Sequence, residues 1–476
     1  MWINTGRHMK LTVLFTGLTL IIVSCKMGPA YKAPEVETPQ LYEHAVNKTD
    51  SIGEIKWWEL FNDPLLDTLI ITALENNRDA RIALNNVLQA EQLYNIQKAE
   101  LLPDFNVQAN LSYGNSQGFV LPGAEADGNY SAGAAVSWEI DLWGKIRRMN
   151  EAQLAEYMAT KYGLANVRLA LVSQVATLYF QLREYETSID ISRRSVALRD
   201  SSVNLIRARY EQGLVAEIDL NQAQIQQAIA ASAVPFYERA AAQTSHALSV
   251  LVGINPTKIE LDMKLDDMAV SPEIPPGLPS ELLLRRPDLL QASELIKAQN
   301  ARIGVAQAAR FPALSITGLA GVSNELGTFN STAFAWNASA GLFGPLFHWG
   351  KNKRRVEVEK IRTESAYMTY ENAVLNAFRE VEDALVSIET YDREVQARTN
   401  HVSAATKAQY LSGERYDKGV TSYLEYLESQ RQAFEAELNL TSVQAGLLTS
   451  YVQLYKALGG GWLTQSEMDS AKETNP

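Results

Sequence analysis

The sequence is poor in the residues on which catalysis and metal binding most often depend. One cysteine among 476 residues excludes a disulfide within the chain and any multi-cysteine metal site. The five histidines are scattered without the spacing of metal ligands. The glycine triplet Gly459-Gly460-Gly461 follows a helical stretch rather than opening one, so it is not a phosphate-binding loop. The sequence therefore predicts a protein that is not an enzyme and that binds no metal or cofactor.

Basic clusters and long apolar runs are also scarce. The formal net charge is −12, and no group of lysines and arginines is long enough to follow a phosphate backbone. This pattern excludes nucleic acid as a natural partner. The one sustained apolar run, Leu11 to Val23, is too short to be a stable membrane-spanning helix. Arg7, His8 and Lys10 precede it, which is typical of a signal peptide over residues 1–24.

The signal peptide ends at the only cysteine of the chain. The residues Ile22-Val23-Ser24-Cys25 place an apolar and a small residue before this cysteine, which resembles a bacterial lipobox. We therefore expect cleavage before Cys25 and attachment of lipid to its thiol. The alternative is an ordinary signal peptide followed by an incidental cysteine. Dense proline after Cys25 predicts an extended tether with little regular structure.

One long helical stretch, Lys145 to Glu211, organises the rest of the chain. It contains no proline and one glycine, and apolar residues recur in it at heptad spacing. A sustained heptad pattern predicts a coiled-coil seam rather than the face of a globular core. At about 1.5 Å per residue the helix would be on the order of 100 Å long. One apolar row consists of Val175, Leu182, Ile189, Val196, Val203 and Tyr210.

The same stretch recurs 206 residues later. Trp143-Gly144-Lys145 returns as Trp349-Gly350-Lys351, and Arg209-Tyr210 returns as Arg415-Tyr416. The offset holds without a gap as far as Gly253 and Gly459, so we interpret the chain as an internal duplication. The predicted divisions are a signal peptide (1–24), a lipidated extended segment (25–56), a first repeat (57–253), a connector (254–280), a second repeat (281–459) and a tail (460–476).

Each predicted repeat contains a pair of strands before its long helical hairpin. Apolar and polar residues alternate over 105–142 and again over 314–347, with a loop inside each range. The helical hairpins then cover 145–252 and 351–458. Strands of about 9 to 13 residues suit a membrane β-barrel, although a soluble sheet with one buried face alternates in the same way.

Aromatic residues at the strand ends favour the membrane interpretation, because such residues collect at membrane–water interfaces. Four strands cannot close a barrel, since small closed barrels need about eight, and an open edge is not tolerated in lipid. Several chains must then share one barrel, and three chains would supply twelve strands. The aromatic residues concerned are Phe105, Tyr113, Tyr130, Trp143, Phe334, Phe347 and Trp349.

A series of motifs in order along the chain resembles the TolC-type outer-membrane efflux factors, in the lipoprotein branch that serves resistance-nodulation-division (RND) pumps. The similarity covers nearly the whole mature chain. The motifs are Cys25 with Gly28-Pro29-x-Tyr31-x-x-Pro34, Arg285-Arg286-Pro287-Asp288, Phe311-Pro312, Phe347-x-Trp349-Gly350-Lys351, Arg415-Tyr416-x-x-Gly419-Val420, and Tyr455-Lys456-Ala457-Leu458-Gly459-Gly460-Gly461-Trp462.

The resemblance implies a mainly α fold with a small membrane β-barrel portion. In such proteins the duplicated helical hairpins form a trimeric α-barrel tunnel in the periplasm, and four strands per chain join a shared twelve-stranded β-barrel in the outer membrane. The implied function is a passive exit duct for small molecules, with an inner-membrane RND-type pump and a periplasmic adaptor as partners. The alternative is a lipid-tethered coiled-coil scaffold or adaptor without a pore.

The resemblance also implies a gate near the second helical reversal. Residues at matching places are Tyr416, Glu425 and Glu428, with Asp219 on the other hairpin as a tethering partner. Glu425 and Glu428 are three apart, so they share a helix face, and a solvated acidic face is the alternative interpretation. Arg431 could pair with Glu428 or with a neighbouring chain. The arginine that some members place just after the turn is Thr421 here, which puts a latch to Asp219 in doubt.

The two helical reversals are the predicted contacts for the adaptor. They lie where both long hairpins turn, and each contains a glycine that permits the positive φ of a tight reversal. The alternative is that they serve only as turns. The residues concerned are Gly213, Leu214, Val215, Gly419, Val420 and Thr421.

Overall fold

The computed structural model describes residues 26–44, 61, 63–114, 127–261, 279–324 and 332–460. The predicted signal peptide and Cys25 lie outside these residues. Within them, eight helices and four strands follow the predicted order. The bounds are α1 (Pro64–Asn76), α2 (Arg78–Ala99), β1 (Asp104–Gly114), β2 (Asp127–Ile140), α3 (Lys145–Glu211), α4 (Glu217–Val252), α5 (Pro279–Arg285), α6 (Pro287–Ala308), β3 (Ala313–Asn324), β4 (Thr332–Phe343), α7 (Lys351–Asp417) and α8 (Tyr423–Ala457).

The chain divides into two compact units. Unit 1 contains residues 1–35, 86–161 and 291–371, and unit 2 contains residues 36–85, 162–290 and 372–476. Each unit therefore draws residues from both predicted repeats. In the part of the chain that the structure describes, no helix combines the length and the apolar character required to cross a membrane.

The four strands form one antiparallel sheet in unit 1, in the order β1-β2-β3-β4. The register aligns apolar residues across all four strands, as in the row Val107, Ala134, Ala320 and Trp336. The neighbouring row, Gln108, Gly133, Gly321 and Ala335, is polar or small. Directly opposite residues share a face, so one face of the sheet is apolar and the other is not. This confirms the alternation predicted from the sequence.

The apolar face and both outer strands of the sheet are exposed. All of β1 and all of β4 are solvent-accessible, including large apolar side chains such as Val107, Leu111 and Trp336. Among the described residues no further strand pairs with the outer edge of either strand. A long, flat apolar edge would template aggregation in water, and it requires a partner strand in lipid.

Two strands end earlier than predicted, for identifiable reasons. β2 stops at Ile140 because the Asp141 carboxylate turns to accept hydrogen bonds from the backbone amides of Ile146 and Arg147, at 3.1 and 2.9 Å. It thereby satisfies two of the free N–H groups at the start of α3. β4 stops at Phe343 because Gly344 and Pro345 follow, and proline cannot donate to a sheet ladder.

The segment directly after Cys25, which the sequence predicted to be an extended tether, is docked in unit 1. Arg148 donates to the carbonyl oxygens of Met27 and Pro29 at 2.7 and 3.0 Å. Gly28 has φ +103°, and a Cβ there would lie 2.6 Å from Cα of Gly304. Only glycine permits this close approach. The segment lacks regular structure, as predicted, but partly buried hydrogen bonds from Arg148 hold it in place.

The arginine-proline motif of the second repeat joins three helices in unit 2. The buried Arg286 forms ion pairs with Asp288 and with Glu380 of α7, both at 2.7 Å. It also donates to the carbonyl oxygen of Ala457 at the end of α8, at 3.1 Å. The motif therefore has a structural role, because it satisfies a free carbonyl at a helix end.

A buried carboxylate holds α1 against α3 in unit 2. Asp63 caps α1 through one oxygen, which accepts from the amides of Leu65 and Leu66 at 3.0 and 3.2 Å. Its other oxygen accepts from the Tyr179 hydroxyl at 2.5 Å and from Arg183 at 3.2 Å. Burial and the adjacent Asp63 raise the pKa of Tyr179, so its hydroxyl remains a donor.

We expect Asp63→Ala to lower the free energy of unfolding by about 3 to 5 kcal/mol, because it leaves the Arg183 charge buried without its partner. Asp63→Asn keeps a capping oxygen and should cost less. Thermal melting of the helical circular dichroism signal in detergent checks both. Equal melting temperatures for Asp63→Ala and the parent would contradict this role.

Candidate functional site

The two helical reversals of unit 2 have the same backbone geometry. Gly213 and Gly419 have φ values of 73° and 71° and follow α3 and α7, respectively. The amides of Gly213 and Leu214 donate to the carbonyls of Tyr210 and Arg209 at 2.8 and 2.9 Å. The second reversal repeats this pair of bonds, which defines a Schellman motif with glycine in the left-handed position. The reversals are therefore where the sequence predicted them.

Each reversal presents an exposed apolar side chain. Leu214 is 69% exposed and Val420, its counterpart, is 64% exposed. Val215, by contrast, is partly buried against the cluster of side chains behind the turns. Thr421 donates its hydroxyl to Glu425. Of the six predicted adaptor-contact residues, Leu214 and Val420 thus offer the free apolar surface.

Tyr416 lies inside the cluster behind the reversals. Its ring is packed against Tyr423 and Tyr426, with ring centroids 5.4 and 6.0 Å away. The Arg209 guanidinium lies over the same ring, 4.7 Å from its centroid. The buried members of the cluster come from all four long helices, and they are Val203, Ile206, Ala223, Tyr416, Tyr423 and Leu427.

The electrostatics of Tyr416 connect it to the first hairpin. Burial raises the pKa of the Tyr416 hydroxyl, the Arg209 guanidinium opposes this shift, and the Asp219 carboxylate adds to it. The hydroxyl itself is buried and makes no well-formed hydrogen bond with a described residue. The structure therefore brings Tyr416 and Asp219 near each other without a direct bond.

The two predicted ring carboxylates, Glu425 and Glu428, are paired with cations. Glu425 forms an ion pair with Arg415 at 3.4 Å. Glu428 accepts two hydrogen bonds from Arg431, at 2.6 and 2.9 Å, and Arg431 also contacts Glu435 at 2.7 Å. The pairing of Glu428 with Arg431, left open by the sequence, thus occurs within one chain. Each carboxylate is partly neutralised, so a ring of these residues would carry less net charge than bare carboxylates.

Glu428 keeps its charge in acid. Hydrogen bonds from Arg431 and Gln432 hold the pKa of Glu428 down to about 2. At pH 4 an ordinary glutamate, with a pKa of about 4.3, is largely protonated, whereas Glu428 is still ionised. Its side chain is nearly half exposed, so the pair contributes little to stability because solvent screens it.

In the exit duct that the resemblance implies, a ring of carboxylates near the gate would favour the passage of cations, and we expect the contribution of Glu428 to this cation selectivity to be the same at pH 4 and pH 7. The reversal potential of the reconstituted channel, compared between the parent and Glu428→Gln at both pH values, isolates this residue from other carboxylates that titrate. A difference present at pH 7 and absent at pH 4 would show that Glu428 titrates normally.

The sequence put a latch between residue 421 and Asp219 in doubt, because residue 421 is a threonine, and the geometry agrees. Thr421 engages Glu425, and Asp219 has no ion pair or side-chain hydrogen bond with a described residue. Asp219 is in the first turn of α4, where the helix dipole favours a negative charge. In the part of the chain that the structure describes, no group of histidine, cysteine or acidic residues could hold a metal ion.

Sequence reasoning missed two members of this site, Arg209 and Tyr423. The duplication relates Arg209 and Asp219 to Arg415 and Glu425, which lie 206 residues later. Because Arg415 and Glu425 form an ion pair, the duplication could have pointed to Arg209 as a member of the site. Arg209 instead lies over Tyr416, on the other hairpin. The two copies therefore use the same residue type differently.

The fold and these reversals define an outer-membrane channel subunit, and comparisons with known proteins agree. The Outer membrane efflux protein family matches residues 69–254 and 278–460. The chain is 35% identical over 464 residues to the solvent efflux pump outer membrane protein SrpC of Pseudomonas putida, covering 93% of this chain and 97% of SrpC. It is 30% identical over 452 residues to the cation efflux system protein CusC of Escherichia coli, covering 94% and 97%.

A solved structure shows the same architecture. The open state of the Neisseria gonorrhoeae MtrE outer membrane channel superposes with a TM-score of 0.84 at 32% identity, covering 92% of this chain and 99% of MtrE. This chain belongs to the outer membrane efflux protein family. It functions as an efflux channel of the outer membrane, with its helical tunnel in the periplasm.

Proposed function

We propose that three copies of the chain form one passive exit duct. The observation that carries this proposal is the exposed four-stranded sheet, which has one apolar face and two outer edges that no described residue pairs with. Joining β4 of one chain to β1 of the next removes every edge, and three chains supply twelve strands. The apolar face would then meet lipid and the polar face would line water.

We propose that the reversals of the helical hairpins receive a periplasmic adaptor and that the duct serves an inner-membrane pump of the RND type. The exposed Leu214 and Val420 support the first part, because they are apolar, unpartnered among the described residues and held by rigid turns. Tyr416, Asp219, Glu425, Glu428 and Arg431 would form the gate beside this contact. Arg209 belongs with them, since its cation covers the Tyr416 ring.

The substrates that the relatives' names give are a solvent, toluene, antibiotics and cations. We propose toxic small molecules of this range for the present duct, with the choice made by the pump. The lipid on Cys25 remains part of the proposal, and it rests on the sequence around that residue.

Reconstitution tests the proposal. The purified full-length protein, added to a planar lipid bilayer, should give discrete conductance steps, and its mass in detergent should equal three chains. A protein that stays soluble without detergent once residues 1–25 are removed, and that never conducts, would instead be the lipid-tethered scaffold.

A further inference from the structure

Arg199 of α3 is a buried cation without a counter-ion among the described residues. It is 1% exposed, and its guanidinium lies over the Phe434 ring of α8, 4.9 Å from the ring centroid. One nitrogen donates to the backbone carbonyl of Gln226 in α4 at 2.6 Å. The other two, Nε and Nη2, have no hydrogen-bond partner in the described part of the chain. Because a single chain already buries this side chain, a neighbouring copy in an oligomer cannot reach it.

The other buried arginines among the described residues all have a carboxylate partner. Arg148, Arg183 and Arg286 each form an ion pair, with nitrogen–oxygen distances between 2.7 and 3.2 Å. Arg199 forms none with a described residue. A buried charge without its partner is strongly unfavourable, whereas an apolar residue of similar volume has no such cost. The cation at this position therefore requires an explanation.

Packing of the long helix does not require a cation here, as the second copy of the helix shows. The residue 206 positions after Arg199 is Ala405 of α7, which is also buried. It belongs to an apolar cluster with Ala433 and Ala436 of α8. The second copy thus fills the same helical position with a small apolar side chain.

The helices α3 and α8 run antiparallel past each other around Arg199. Before it on α3, Arg194 pairs with Glu437 at 3.5 Å. After it, the Gln430 side chain donates to the Ser202 hydroxyl at 3.1 Å. The part of α8 that faces Arg199 therefore lies between residues 430 and 437.

This part of α8 brings a carboxylate close to Arg199. Glu435 directly follows Phe434, the residue that the guanidinium covers. Burial lowers the pKa of Arg199, and the charge of Glu435 opposes that shift. Glu435 is paired instead with Arg431 at 2.7 Å, and Arg431 also pairs with Glu428 at 2.6 Å. One cation therefore has two carboxylates, whereas Arg199 has none among the described residues.

We propose that Glu435 exchanges between Arg431 and Arg199, and that its two pairings stabilise two positions of the second helical hairpin against the first. With Arg431 the carboxylate stays within α8, and with Arg199 it ties α8 to α3. After the exchange each cation has one carboxylate, because Glu428 remains on Arg431. A rearrangement that conserves the number of ion pairs gives the small free-energy difference that a two-state element requires. This exchange rests on the gate proposed for these helices, and it adds to that gate a buried residue outside the predicted set.

Single-channel recording of the purified full-length protein in a planar lipid bilayer tests the exchange. The measured quantity is the ratio of the dwell times in two conductance levels. Arg431→Gln removes the partner of Glu435 in one arrangement and Arg199→Met removes it in the other, so the two variants should shift this ratio in opposite directions. We expect a shift of about two- to five-fold for Arg431→Gln, the range of a partly exposed ion pair. Arg199→Met should cause a larger shift, because its pair is buried.

Glu435→Gln distinguishes the exchange from a structural effect of Arg199. Without this carboxylate neither arrangement contains the exchanged pair, so adding Arg199→Met should not shift the ratio further. Arg194→Gln is the matched control, because Arg194 is a cation of the same helix that ties α3 to α8 through Glu437. Its effect on the ratio should be the same in the parent and in Glu435→Gln.

Charge reversal supplies a measurement that does not depend on conduction. Arg199→Glu places an unpaired carboxylate in the buried position and should lower the melting temperature of the helical circular dichroism signal in detergent. Adding Glu435→Arg should restore most of the loss. Adding Glu428→Arg, which changes the other partner of Arg431, should not restore it.

Three results would overturn the exchange. The first is a single conductance level in the parent, or shifts in the same direction for Arg199→Met and Arg431→Gln. The second is an undiminished effect of Arg199→Met in the Glu435→Gln background. The third is that Glu435→Arg restores the melting temperature no better than Glu428→Arg. A parent that never conducts would overturn the exit duct instead, and the melting temperatures would then decide whether Glu435 pairs with Arg199.

Discussion

Ala338→Arg is expected to abolish insertion into the outer membrane. Ala338 is in the middle of β4 and shares the apolar face with Gly318, directly opposite on β3. An arginine at mid-depth on a lipid-facing strand costs about 2 to 4 kcal/mol. A trimer repeats the change three times, so the total is on the order of 6 to 12 kcal/mol if the copies add.

The neighbouring residue supplies the control. Asn337 is on the same strand at nearly the same depth, but its side chain is on the opposite, polar face of the sheet. Asn337→Arg should insert and assemble like the parent and change only the conductance. Membrane fractionation and the heat-resistant oligomer on gels measure insertion and assembly. Equal insertion of the two variants would mean that the sheet faces are not lipid and water.

The second large effect is expected at the reversals. Leu214→Glu with Val420→Glu should abolish export while leaving the trimer intact, because two charges would replace the exposed apolar surface at both turns. The turns themselves should persist, since Gly213 and Gly419 and their backbone hydrogen bonds are untouched. Charges forced into an apolar contact without partners are strongly unfavourable.

Cells that lack their own exit duct, but carry the cognate pump and adaptor, provide the measurement. The intracellular accumulation of an exported compound should match that of cells without the duct. Gln212→Glu adds charge at the first reversal without removing apolar surface, and it should export normally. Full export by the double variant would show that the reversals do not contact the adaptor.

The bounds of the long helices could be predicted to within one residue because local signals agree there; α8 ends at Ala457, one residue before the predicted Leu458. The heptad rows and the absence of proline within α3 indicate one continuous helix, and the glycine two residues after Glu211 marks its end. The duplication then transferred those bounds to α7. At these helices the helix propensity of the residues, the spacing of the apolar residues and the turn residues all predict the same structure.

Other features required the folded chain. The early end of β2 depends on where the Asp141 carboxylate points, and the docking of Met27 and Pro29 depends on Arg148, which is more than 100 positions away. The cluster around Tyr416 joins side chains from four helices, so no local pattern could place Arg209 over its ring. The resemblance to the efflux factors indicated which residues belong to the gate. Their ion pairs could be read only from the folded structure.

The central pairing of β2 with β3 has a consequence for symmetry. β2 belongs to the first repeat and β3 to the second, and these two strands pair antiparallel just as the two strands of each hairpin do. In a trimer, six similar hairpins would stand around the axis, giving approximate sixfold and strict threefold symmetry. A single-repeat ancestor would have closed as a hexamer with six identical positions. With both copies in one chain, alternate positions need not be identical: Tyr210 is exposed, whereas its copy Tyr416 is buried.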